Sequence, residues 1–312
     1  MSEGRRLWLE EELQDDLKWS VQVKSILYQG ASKFQDIELI ESGPFGKLLM
    51  LDGKAQSAEA DEFVYHESLV HPALLSHPNP KKIFIMGGGE GSTAREALRH
   101  KSVEKVVMVD IDQVVVEFCR DYLPANKEAF EDPRLEVLYN DALVELERST
   151  EQFDVIIGDL ADPVEGGPCY KLYTKDFYEK ILKPKLAPGG IIVTQGGPAG
   201  ILSYKLVYSS IHNTLAQVFK HTLPYATHVP SFADQWGWIM ASDEPLKEPV
   251  VADLDAAIAK RINGELGYLD GRTLQAEMAL SKAVRKGLAA ETHVYTEDDA
   301  RFIHGSGIVN GH

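Results

Sequence analysis

Two cysteines in 312 residues, Cys119 and Cys169, are too few for a disulfide framework and lack the spacing of a zinc site. No apolar run reaches the length needed to cross a bilayer. The first residues, MSEGRRLWLEEELQDD, are acidic where a secretory signal would be basic and then apolar. Together these absences lead to the expectation of a soluble, cytoplasmic chain with no membrane partner. Positive charge is scarce as well: 32 Lys and Arg stand against 48 Asp and Glu, a formal net charge of -16. That balance disfavours nucleic acid and favours a cationic partner, although charge alone discriminates weakly. Internal repeats and low-complexity tracts are also missing.

What is present is 44% hydrophobic residues, enough for one large domain or for one large and one small. From residue 20 to about 60, apolar and polar residues alternate, broken at Gly30, Gly43/Pro44 and Asp52/Gly53. This pattern predicts a small antiparallel β domain over residues 1–60. Residues 61–75 carry apolar positions at helical spacing, and Pro78 and Pro80 end the run. Beyond it, strands with acidic or polar ends recur: VVMVD to Asp110, LEVLYND to Asp141, FDVIIGD to Asp159 and GGIIVTQ to Gln195. Helices are expected at 93–100, 113–122, 176–183 and 202–219, with a closing strand at 236–241. The alternation predicts an α/β fold, a Rossmann-like doubly wound parallel sheet of the methyltransferase type, with ligands beyond the carboxyl ends of its strands. A catalytic domain over residues 61–300 and a mobile tail over 301–312 complete the expected organisation.

The segment KKIFIMGGGEGSTAREALRHKSVEKVVMVDID carries the most chemistry. An apolar strand runs into Gly87, Gly88, Gly89 and Gly91, a helix follows, and Asp110 ends the next strand about 20 residues after the loop. That order suits a nucleoside, with glycines admitting close backbone approach and an acid gripping ribose hydroxyls. Ser92 stands where the dinucleotide fingerprint has its third glycine, which favours an adenosyl-sulfur ligand over NAD. Glu90 narrows the choice further. It would repel the carboxylate of S-adenosylmethionine, whereas the decarboxylated form ends in an ammonium and removes the conflict.

Three other groups stand out. Asp159 and Asp162 lie three residues apart in GDLADP, just past a core strand. Asp162, before Pro163, has a turn cap as its minority alternative, while Asp159 sits at the rim where catalytic groups gather. Glu62, Tyr65, His66 and Glu67 share a helix beside the glycine loop, and the pattern leaves surface and site equally open. The stretch THVPSFADQWGW could be core packing, at least at Phe232, Trp236 and Trp238. No metal site is expected, because His71 and His77 lack partners at ligand spacing.

At LYQGASKFQDI, LDGKAQSAEADEFVYHE, GGGEG, VDID, NDA and GDLADP, the chain resembles the spermidine synthase family of aminopropyltransferases, from about Trp8 to Ser242. The strings GGGEGSTAREALRHK, GDLADPVEGGPCYKLYTK, TQGGPAGI and PSFADQWGW look closer to its plant, thermospermine-forming branch. The resemblance implies transfer of an aminopropyl group from decarboxylated S-adenosylmethionine, a co-substrate, to spermidine, with methylthioadenosine as by-product and no prosthetic group. Putrescine as acceptor, spermine as product, and methyl transfer to a small amine are the rival activities.

Carried over by position, the resemblance implies that Gln35, Gly87, Gly89, Asp110, Asp141 and Ala142 hold the donor, with Pro168 near the adenine. Glu90 replaces the Asp usual in this loop, and Asp110 stands where the family usually has Glu. Tyr65, His66 and Asp162 would position the acceptor, and Asp159 would take its proton. Phe232 replaces a Tyr usual in the acceptor pocket, and VEGGPCYK is about two residues longer than usual, making Glu165 a candidate extra carboxylate. A homodimer or homotetramer is implied.

Overall fold

A computed structural model describes residues 7–14, 16–165, 167, 169–248, 250–304 and 307–310, with side chains to residue 303. Strands β1 (Leu7–Gln14), β2 (Leu17–Ala31), β3 (Asp36–Ser42), β4 (Gly46–Leu51) and β5 (Lys54–Ala58) form an antiparallel sheet in chain order. The expected hairpin at Asp52/Gly53 is present, with both residues at positive φ. Strand β1 lies outside the alternating pattern. LWLEEELQ, within the residues assigned to the β domain, pairs along β2 at the sheet edge, where charged side chains reach water.

Helix α1 (Glu62–Ser76) joins this sheet to a larger unit, and residues Val64 to Leu74 along it are buried. Then follow β6 (Lys82–Gly87), α2 (Ser92–Leu98), β7 (Lys105–Asp110), α3 (Gln113–Tyr122), α4 (Lys127–Glu131), β8 (Leu135–Tyr139), α5 (Ala142–Arg148) and β9 (Phe153–Asp159). After them come β10 (Leu186–Pro198), α6 (Tyr208–Ala216), β11 (His221–Val229) and β12 (Asp234–Ser242). Strands β10, β9, β6, β7 and β8 lie parallel in that order, and the inner strands β9, β6 and β7 are apolar because they are covered on both faces, while β8 is a partly exposed edge.

The sheet is not wholly parallel as expected. Strand β12 runs antiparallel to β10, and β11 antiparallel to β12, making a seven-stranded mixed sheet. Strand β11 escapes the sequence pattern because Pro224 interrupts it, and Pro is tolerated there because β11 is an edge.

Other boundaries also move. The helix expected at 202–219 starts only at Tyr208, after a run of turns, and the one at 176–183 is a π-helical segment, Phe177–Leu182. Three helices are absent from the sequence reading: α7 (Val251–Arg261) and α8 (Gly271–Met278) join the core on one face of the sheet, and α9 (Lys282–Ala290) joins the core on the other. Within the tail, strand β13 (Arg301–His304) pairs with β14 (Gly307–Asn310), and Phe302 and Ile303 pack on the main core.

Candidate active site

Strands β6, β7 and β9 end side by side, so Gly87, Asp110 and Asp159 share one rim. The glycine loop is shaped by what crowds it. A side chain at Gly87, at φ 77°, would run into the carbonyl of Asp159, and one at Gly89 would lie 2.6 Å from Asp110 Oδ2. The backbone N–H of Gly88 donates to the Asp159 carbonyl at 3.0 Å, tying loop to strand end.

Asp110 accepts the N–H of Gly89 at 3.0 Å and that of Asp112 at 2.8 Å. Burial nevertheless pushes its carboxyl up to about 6, against those two hydrogen bonds. Asp112, two residues on, caps α3 and also accepts from Ser32 Oγ at 2.5 Å and Gln35 Nε2 at 2.9 Å. Gln35 therefore reaches the Asp110 side of the rim from the turn between β2 and β3. Asp141 caps α5 through the N–H of Leu143, at 2.8 Å, and Ala142 is buried beside it. Pro168 lies outside the described residues.

Asp159 is held by two hydroxyls, Tyr65 donating to Oδ1 at 2.8 Å and Thr93 to Oδ2 at 2.6 Å. The Tyr65 phenol is driven well above its usual range by burial and by Asp159, so it stays a donor at neutral pH. Asp162 is reached by Gln195 Nε2 at 3.2 Å, whose amide also bonds the Leu160 carbonyl and the Tyr173 hydroxyl, each at 2.8 Å. Burial raises Asp162 to about 6, offset in part by Gln195 and Lys54 and reinforced by Glu11. Asp162 is thus more than a turn cap.

Tyr65, His66 and Glu67 are buried and Glu62 is partly so, which removes the solvated-surface reading of α1. Glu67 turns away from the rim to accept the N–H groups of Gly267, Tyr268 and Leu269 at 2.7, 2.9 and 2.8 Å. His66 Nδ1 lies 2.8 Å from Glu62 Oε2, and His66 Nε2 lies 3.9 Å from Glu90 Oε2. Burial disfavours the imidazolium, but Glu90 and Glu62 outweigh it and lift His66 to about 9. Arg95 grips both Glu62 oxygens at 2.9 Å. Burial opposes ionisation of Glu62, yet His66 and Arg95 bring its carboxyl down to about 2. Glu90 accepts from Ser92 Oγ at 2.6 Å and is raised by burial, against the pull of His66.

Glu62, His66 and Glu90 place ligand atoms within 4.8 Å of one another. Both oxygens of Glu62 are already engaged by Arg95, and His66 bonds the same carboxylate, so the set is occupied as an internal ion-pair network and offers a metal few free ligand atoms.

Phe232 meets Tyr65 edge to face at 5.7 Å and Trp236 at 4.7 Å. Its turn is fixed by Asp61, which accepts the N–H of Ser231 at 2.7 Å. Phe232 also packs on the core of the N-terminal sheet. Glu165 is exposed on the loop after β9.

Several residues here carry no mark in the sequence reading. Thr93 has a usable signal, as the first-turn hydroxyl after a glycine loop. Arg95 acts through its ion pair with Glu62 and Tyr173 through its hydroxyl on Gln195, both distant in sequence, and Glu11 and Lys54 act on Asp162 from another domain, so no local pattern marks them.

The rim can therefore hold a ribose at Asp110, an ammonium at Glu90 and an amine between Asp159 and Asp162. Residues 62–250 match the family model described as spermine/spermidine synthase domain, and residues 7–59 match the spermidine synthase tetramerisation domain. The chain is 58% identical to the thermospermine synthase ACAULIS5 of Arabidopsis thaliana, covering 98% of this chain and 90% of that one. It is 41% identical to a polyamine aminopropyltransferase of Aeropyrum pernix, covering 95% of each. Among solved structures, a spermidine synthase bound to the transition-state analogue AdoDATO superposes with a TM-score of 0.83 at 30% identity, covering 91% of this chain and 96% of that one. The Thermotoga maritima spermidine synthase gives a TM-score of 0.81 at 30% identity, over 91% and 95% of the two chains.

Proposed function

This chain belongs to the spermine/spermidine synthase family and is an aminopropyltransferase of polyamine biosynthesis, and from that premise we propose the following reaction. The enzyme takes decarboxylated S-adenosylmethionine as donor and spermidine as acceptor, and releases thermospermine and methylthioadenosine. The likeness to ACAULIS5 over nearly the whole chain supports the choice of acceptor, and one observation carries the chemistry: Asp159, clamped by Tyr65 and Thr93, faces the same rim as Glu90 and Asp162.

The acceptor nitrogen attacks the aminopropyl carbon beside the sulfonium. A C–N bond forms, the C–S bond breaks, and sulfur keeps the electron pair as a neutral thioether. The nitrogen sheds one proton to Asp159. An alkyl amine has a pKa near ~10.4, so baring its lone pair at pH 7 costs roughly 4 to 5 kcal/mol. A carboxylate at about 4 Å works against this, favouring the ammonium by about 4 kcal/mol at an effective dielectric of ~20. The site resolves the conflict by division. Asp162 and the exposed Glu165 attract the amines that do not react, Glu90 holds the donor ammonium, and the reacting amine meets Asp159 in the drier space beneath Tyr65 and Phe232. Desolvation there disfavours both charged partners and brings their proton affinities together. Alignment of amine, carbon and sulfur supplies much of the remaining acceleration.

On the nucleoside side, Asp110 and Asp141 take the ribose, with Gln35, Gly87, Gly89 and Ala142 around it. Subunits meet through the N-terminal sheet, where Leu7, Trp8, Leu17, Ile26 and Leu27 are exposed, giving a dimer or tetramer.

The test is chromatography of the products from decarboxylated donor and spermidine against spermine and thermospermine standards. Thermospermine is the expected peak. Spermine alone, or turnover of putrescine but not spermidine, would assign the enzyme to a sister activity.

A further inference from the structure

Strand β13 ends against the loop that carries Asp162. The backbone N–H of Ile303 donates to the carbonyl of Pro163 at 2.8 Å. The rings of Phe302 and Tyr170 meet edge to face at 5.6 Å, so the same strand also touches the far end of that loop. Two further contacts pin β13 to the core. Arg301 forms a forked ion pair with Glu291, at 2.7 and 3.2 Å, and the Tyr295 hydroxyl donates to the Arg301 carbonyl at 2.8 Å.

The tip of Ile303 comes close to the acidic rim. A side-chain carbon placed on Gly197 would lie 2.8 Å from Val207 Cγ2, 3.3 Å from Asp162 Oδ1 and 3.8 Å from Ile303 Cδ1. The Asp162 carboxylate and the Ile303 methyl thus both face the bare α-carbon of Gly197, with Val207 packed beside them.

An aliphatic polyamine alternates charged nitrogens with methylene runs, so it needs anionic and apolar surface side by side. We propose that Ile303 is a specificity-determining residue, whose side chain forms the apolar wall beside Asp162 for the methylene chain of the acceptor, with β13 holding it in place. The inference rests on the polyamine acceptor assigned above. Residues near the end of the chain thereby serve a site built by strands β6, β7 and β9.

Steady-state kinetics of the full chain with Ile303→Ala and Ile303→Val decide it. Ile303→Ala should raise KM for spermidine about tenfold, the scale of removing apolar groups from a substrate pocket, and lower the preference for spermidine over putrescine. KM for the decarboxylated donor should stay unchanged. Ile303→Val, which removes one methyl and keeps the branched shape, should shift KM for spermidine in the same direction by a smaller factor. Unchanged acceptor constants in both variants, or donor and acceptor constants rising together, would overturn the proposal. If the parent enzyme makes no tetraamine, the functional assignment falls and this inference with it. If the parent makes it and the variants keep its acceptor preference, only this inference falls.

Discussion

At the scale of single residues, Asp159 and Asp162 differ in what surrounds them. Asp159 receives two hydroxyl donors, which an Asn could keep only in part, so Asp159→Asn should lower turnover by at least ~10²-fold while KM for the donor stays near the parent value. Turnover within a few-fold of the parent would remove Asp159 from proton transfer. Asp162 makes the opposite trade. Its carboxyl ionises near 3.8 when unfolded and near 6 in the folded chain. The folded state therefore binds more protons between those values, and the parent gains stability as pH falls through 6 toward 4. Asp162→Asn removes that burden while its amide oxygen can still accept from Gln195. Its melting temperature should exceed the parent's at pH 7 to 8, by an amount that shrinks at pH 5, and its affinity for spermidine should fall. A melting difference independent of pH would contradict the buried charge. Asp159 is legible in the sequence because a carboxylate at the end of a buried strand lands on the rim where ligands of such sheets bind, whereas Asp162, three residues on, is read from the family resemblance. Glu62 and Glu67 were not separable from a solvated helix face, since what engages them comes from Arg95, 33 residues on from Glu62, and from residues 267–269.

At the scale of elements, the glycine loop is set by space as well as by backbone angle. Gly89→Ala would press a methyl against Asp110 Oδ2 and disturb the N–H of residue 89 that this carboxylate accepts. KM for the donor should rise by about tenfold or more, with the acceptor constant little changed and far-UV circular dichroism intact. A donor constant unaffected by that methyl would place the ribose elsewhere. The parallel strands could be read directly, since a strand covered on both faces must be apolar throughout. Antiparallel β11 could not, because Pro224 reads as a breaker until its place at a sheet edge is known. The three helices after residue 250 carry few start and stop signals beyond Asp270 and Ser281, which cap α8 and α9.

At the scale of the whole molecule, the N-terminal sheet leaves apolar side chains in water on β1 and β2. Such a surface on a chain with an excess of 48 acids over 32 bases is a place to exclude solvent between like-charged subunits. Replacing Ile26 and Leu27 together by Asp should reduce the mass measured by light scattering to that of a smaller assembly, with the far-UV spectrum preserved. An unchanged mass would move the subunit contact off this face.

The two hydrogen bonds from Ser32 and Gln35 to Asp112 reach across from the N-terminal sheet to the residue that follows the ribose-binding strand. The amino-terminal lobe is thus fastened to the turn that opens α3 and is no detachable handle for assembly alone. Cutting the chain near residue 60 should leave Asp112 without both partners, so lesions in that lobe should be felt at the rim even where every rim carboxylate is intact.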